Sequence, residues 1–170
     1  MKTLRIRKLV FTALMAALTY VATMVIQIPS PMQGYVNLGD CFVLLSGWLL
    51  GPWWGGAAAG IGSMLTDLLN GYAHYAPGTL VIKACMAITA ALLARVMGKK
   101  PAGYAVSGVA AEAVMVAGYF GYAALLLGKG IAAAASIPGN LVQAAMALVI
   151  APALLALLKR SKALDKLALT

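Results

Sequence analysis

The sequence predicts an all-α integral membrane protein, a bundle of six transmembrane helices with both termini in the cytoplasm. Of its 170 residues, 63% are hydrophobic and only 10% charged, more apolar surface than a water-soluble fold of this size buries. Apolar runs of spanning length recur, separated by short segments rich in glycine and proline. The basic residues sit at the ends of these runs, as they do when they orient a membrane protein. That placement argues against reading the net charge of +9 as a nucleic-acid footprint.

The first span covers about residues 7–28 and is long enough to cross a bilayer, so it reads as a helix and not as a cleavable signal peptide. It ends at the extended Ile28-Pro29-Ser30-Pro31. The segment GYVNLGD (34–40) follows, then an apolar stretch over 41–69 whose only charge is Asp67. This stretch is too long for one typical span, and Gly51-Pro52 divides it into two. The fourth span runs over about 79–97, the fifth over about 104–127 and the sixth from near Pro138 to Lys159-Arg160. An alanine-rich loop after Gly128-Lys129-Gly130 joins the last two, and the tail SKALDKLALT suits a short amphipathic helix on the membrane surface. The whole chain, 1–170, reads as a single domain.

Lys2, Arg5, Arg7 and Lys8 precede the first span; Arg95, Lys99 and Lys100 follow the fourth; Lys159, Arg160, Lys162 and Lys166 follow the last. By the positive-inside rule these ends face the cytoplasm. Four spans with a re-entrant hairpin over 41–70 have the same parity. Six spans are preferred, because Trp53 and Trp54 then lie at a cytoplasmic interface where aromatic belts belong.

Ionisable groups inside a membrane demand a partner or a task. Lys83 falls near the outer end of its span, Glu112 near mid-membrane, and Asp67 near the outer end of its helix. An internal ion pair or snorkelling is the plain alternative for Lys83, whereas Glu112 is too deep to snorkel easily and is expected to face a polar cavity. Asn140 and Gln143, three apart, share a helical face at the outer depth of Lys83. The outer loop NGYAHYAPGT brings Tyr72, His74 and Tyr75. These groups suggest one outward-facing pocket lined by Lys83, Glu112, Asn140 and Gln143, with Glu112 as its floor and residues near Asn37 together with Tyr75 closing it above. Asp40 is divided between this site and capping the helix that starts near Cys41; Asp67 and His74 are further candidates.

No metal-ligand spacing surrounds His74, no Ser–His–Asp order suggests hydrolysis, and Cys41 and Cys85 read as plain buried thiols. No enzyme activity, cofactor or metal is expected. GAAAGIGSM (56–64) lacks the Lys-Ser/Thr of a phosphate loop, so energy for uphill transport must come from an ion gradient or a separate ATPase.

GYVNLGD, GPWWGGAAAGIGSMLTDLLNGY, YAPGTLVIK and IPGNLVQ, in that order, resemble the substrate-binding S components of energy-coupling factor (ECF) vitamin transporters. The similarity runs over nearly the whole chain and points to the branch that includes riboflavin-type and pyridoxine- or hydroxymethylpyrimidine-type members. It implies a multi-pass cell-membrane protein of six helices with a vitamin site near the outer surface. Its implied partners are an ECF transmembrane coupling protein and two cytoplasmic ATPases. It also implies a coupling-protein contact at Ala13 and Ala17, which form a flat small-residue stripe suited to close helix approach. Glu112 favours a pyridine or pyrimidine vitamin with a protonated nitrogen over riboflavin; Lys83 favours a carboxylate such as pantothenate unless Asp67 or Glu112 neutralises it. The alternative function is a proton-coupled secondary transporter with Glu112 as the carrier, although no internal repeat supports it. A membrane-embedded structural subunit is a third reading.

Overall fold

The computed structural model describes residues 2–30 and 34–161. Among them are six α-helices: α1 (Lys2–Val25), α2 (Gly39–Leu50), α3 (Pro52–Leu69), α4 (Ala76–Val96), α5 (Pro101–Gly121) and α6 (Ile137–Arg160). Prolines at the starts of α3, α4, α5 and α6 suit the first helical turn, where a missing N–H costs nothing. A π-helical turn over Tyr122–Leu126 extends α5, and a 3-10 helix over Gly130–Ser136 leads into α6. The alanine-rich connection is therefore helical where the sequence suggested a loop. The tail beyond Ser161, with Lys162 and Lys166, lies outside the described residues, as does Pro31.

Four stretches are long and apolar enough to cross a membrane: Arg5–Val25, Ala76–Val96, Pro101–Leu126 and Gly130–Arg160. Helix α2 is different. Its 12 residues extend about 18 Å, short of the roughly 30 Å hydrocarbon layer. It sits inside the bundle, packed against α1, α3, α4 and α6, and Val43, Leu44, Leu45 and Trp48 are buried in the core. Gly51 makes the sharp turn into α3 with a left-handed φ of 84°.

Successive helices run in alternating directions along the bundle. The α2–α3 turn, the end of α4, the start of α5 and the end of α6 share one end. Arg95 lies against Gly51, and Lys159 Nζ stands 4.4 Å from the Tyr104 ring centroid. Trp53 is 79% exposed at that end. Cys41 is buried, but Cys85 lies on the exposed outer face of α4, which corrects its reading as a buried thiol.

The opposite end carries a feature absent from the helical expectation. Residues 27–30 form β1 and 34–37 form β2, an antiparallel hairpin with Gln27 opposite Asn37 and Ile28 opposite Val36. Two strands alone are marginal in water; this hairpin is tied to the helices at Tyr35 and Asn37. The chain then turns directly into α2, where a methyl at Gly39 would lie 2.1 Å from Thr23 Oγ1 of α1. Only glycine permits that approach.

Candidate functional site

Beneath the hairpin is a cavity reached by the upper ends of α1, α3, α4, α5 and α6. It encloses about 80 Å³, and its lining includes Tyr35, Tyr72, Tyr75 and Tyr119, the charged Asp67 and Lys83, and the amides Asn37, Asn140 and Gln143. Thr79, one turn before Lys83, shares a 3.1 Å hydrogen bond with the Tyr119 hydroxyl. Tyr35 donates to Asp67 Oδ1 at 2.9 Å, anchoring β2 to the end of α3. Burial first, and the neighbouring Asp67 charge second, push the Tyr35 hydroxyl well above its usual range, which keeps it a donor.

A buried polar cluster underlies this lining. Lys83 Nζ donates to Asp40 Oδ1, and Gln143 Nε2 donates to Asp40 Oδ2 at 2.5 Å. Gln143 Oε1 in turn accepts from the backbone N–H and the side-chain amide of Asn37, at 3.0 and 3.1 Å. Asn37 Oδ1 accepts from the Gly39 N–H at 2.8 Å, the short-range bond typical of an Asx turn. The start of α2 is thus met by Asn37, while Asp40 makes no cap and faces α4 and α6. Lys83 also lies 5.3 Å from the Tyr119 ring centroid.

Five of the anticipated binding residues therefore meet around one space: Asn37, Tyr75, Lys83, Asn140 and Gln143, joined by the further candidate Asp67. Glu112 does not join them. It is 3% exposed in the middle of α5, outside the lining, and the cavity floor anticipated from it is made by Lys83 and Gln143 with Asp40 behind them. Nor is Lys83 neutralised by Asp67 or Glu112; its partner is Asp40. His74 also stays outside: its ring packs 4.8 Å from that of Tyr75, and its carbonyl accepts from the Tyr122 hydroxyl at 2.8 Å. At the rim, Lys129 Nζ donates to the Tyr75 hydroxyl at 3.0 Å.

The lining residues not singled out in sequence include Tyr35, Tyr119, Thr79, Thr23 and Ser63. Tyr119 lies two turns beyond Glu112 on α5, a spacing that keeps a helical face, so a search along that face would have reached it. Ala13 and Ala17 are both exposed along α1, away from the face that carries buried Thr12, Met15 and Thr19.

The family model for the ECF-type riboflavin transporter S component matches residues 3–160. A Pyrococcus woesei protein recorded as "Uncharacterized protein in gap 3'region" is 38% identical over 144 residues, spanning 82% of this chain and 93% of its own length.

Proposed function

Because the chain belongs to the ECF-type riboflavin transporter S component family, whose members are non-enzymatic vitamin-binding subunits in the cell membrane, we propose that it captures a small ring-bearing vitamin or vitamin precursor in the cavity beneath the β1–β2 hairpin. The observation that carries this is the convergence of four tyrosines with Asp67, Lys83, Asn140 and Gln143 on one recess. Aromatic faces take a planar ring, and the amides and charges fix its edge. The volume of about 80 Å³ corresponds to roughly six waters at 10–15 Å³ each. That suits a single pyridine or pyrimidine ring, as in pyridoxine or hydroxymethylpyrimidine. The three-ring riboflavin, which the family description favours, is the larger candidate for the same recess. Asp67 takes over the part first assigned to Glu112, a carboxylate facing a nitrogen that donates or carries a proton. Since Glu112 lies outside the lining, the geometry lends no support to a proton-coupled carrier built on it.

The test is to purify the chain alone, identify copurified small molecules by mass spectrometry, and titrate it with pyridoxine, hydroxymethylpyrimidine, riboflavin and pantothenate. Sub-micromolar binding of one of them without partner or gradient is expected. If none binds and none copurifies, the reading fails.

Uptake on this reading runs through a transmembrane coupling protein and two cytoplasmic ATPases, with the exposed Ala13–Ala17 stripe of α1 as the contact. Replacing both alanines by phenylalanine holds the helices apart. Cellular uptake should be abolished while vitamin affinity of the isolated chain is kept; the reverse pattern would reject this face. The basic end of the bundle then faces the cytoplasm, and a cysteine placed at the exposed Trp53, in a background without Cys41 and Cys85, should be labelled only from that side.

A further inference from the structure

A lysine in the wall of a ligand site ordinarily attracts an anion. Lys83 occupies such a wall, yet its ammonium is already bonded to Asp40, which is 1% exposed and not part of the lining. The second Asp40 oxygen is held by Gln143 Nε2, so one hidden carboxylate fixes two lining side chains from behind. Glu112 lies close enough to act electrostatically on both Asp40 and Lys83, and its two buried oxygens have no hydrogen-bond partner among the described residues. Asp67 adds a further carboxylate in the lining itself. Lys129 is bonded to the Tyr75 hydroxyl and is not part of the lining. Counting Lys83 against Asp40 and Asp67, the floor and walls carry no net positive charge, whichever protonation state Glu112 holds.

We propose that Asp40 is a positioning and specificity-determining residue: by pairing Lys83 and aiming Gln143 it keeps the cavity floor hydrogen-bonding without being cationic, so the site accepts a neutral or cationic ligand and rejects its phosphorylated or carboxylated forms. This rests on the binding role proposed above. A phosphate ester entering the cavity loses its hydration, meets Asp67 directly, and finds the Lys83 charge already matched. A pyridine or pyrimidine nitrogen, or a hydroxyl, finds acceptors and donors without that opposition.

The experiment uses two matched pairs, pyridoxine with pyridoxine 5′-phosphate and riboflavin with riboflavin 5′-phosphate. Each is titrated calorimetrically into the parent chain, Asp40→Asn, and the double variant Asp40→Asn/Lys83→Met. The parent should prefer the unphosphorylated member by at least about 100-fold. Asp40→Asn frees the Lys83 charge and should narrow that preference to below about tenfold. The double variant removes both charges, avoids a buried unpaired ion, and should regain the parent's preference. A purely structural role for Asp40 scales both members of a pair together and leaves their ratio alone. Equal binding of both members by the parent overturns the proposal. An unchanged ratio in Asp40→Asn, or lost discrimination in the double variant, overturns it too. If the single variant does not fold, the double variant still decides between retained and lost discrimination. Absence of any binding to the parent by either pair overturns the binding role itself, and this inference with it.

Discussion

The first turn of α2 carries Asp40, tied to Lys83 and Gln143 across 43 and 103 residues of chain, whereas its later turns carry Leu44, Leu45 and Trp48 in an apolar core with Met86, Ala87, Ala111 and Ala147. The two halves hold together by different means. In the lower half small residues bring backbones close: a methyl on Gly47 would lie 2.3 Å from the Ala87 carbonyl oxygen, and one on Gly55 would lie 2.4 Å from that of Ser46. Such contacts are short-ranged, so they tolerate almost no change of shape. In the upper half, charges and amides fill the space between helices, and each depends on a partner that must stay present. The difference separates a frame, which sets where the helices stand, from a site, whose polar groups are available to a ligand.

The contrast is tested most severely at Lys83. Lys83→Met leaves Asp40 as an unpaired buried charge and should cost about 3–5 kcal/mol of stability, measured by denaturant unfolding in detergent. The paired Asp40→Asn/Lys83→Met variant should lose far less. If the single and double variants are equally destabilised, the ion pair does not hold the upper half together and the comparison breaks. In the frame, Gly47→Ala should cost about 1–3 kcal/mol by overpacking while vitamin affinity measured calorimetrically stays within about twofold. A large affinity loss there would mean that frame and site are not separable.

Asn140→Ala should give the opposite pattern. It lines the cavity, so affinity should fall about tenfold, close to 1.4 kcal/mol, with stability altered by less than about 0.5 kcal/mol. The smallest expected effect is that of Glu112→Gln. Were Glu112 the cavity floor, the change would cost about 1.5–3 kcal/mol of binding. Set outside the lining, it should leave affinity within about twofold and stability within about 1 kcal/mol. Calorimetry of the variant with whichever vitamin binds the parent distinguishes the two.

The cavity shows why sequence reading reached some residues and missed others. Asn140 and Gln143 were legible because both lie on one helix, where a spacing of three puts them on one face. Lys83 was legible from the cost of a charge inside a membrane. The same cost argument placed Glu112 in a polar cavity, but burial demands a partner or a task without saying how deep along a helix the ligand sits. Tyr35 and Tyr119 carry no such signal, since a tyrosine near a membrane surface is ordinarily a belt residue.

What the sequence determined by itself follows from local patterns. Runs of apolar residues set the six helices, Gly51-Pro52 divides α2 from α3, and the placement of lysines and arginines gathers the basic ends of the bundle together. Each of these depends on residues close together in the chain. Pairing across helices does not. That Asp40, and neither Asp67 nor Glu112, neutralises Lys83 was decided by where α2 passes α4, and that Gln143 bridges Asp40 to Asn37 by where α6 meets the start of α2. The β1–β2 hairpin likewise needed Asp67 and Gln143 beneath it to anchor Tyr35 and Asn37. A side chain's partner is set by the crossing of helices in three dimensions, and the position of one residue along the chain carries no record of that crossing.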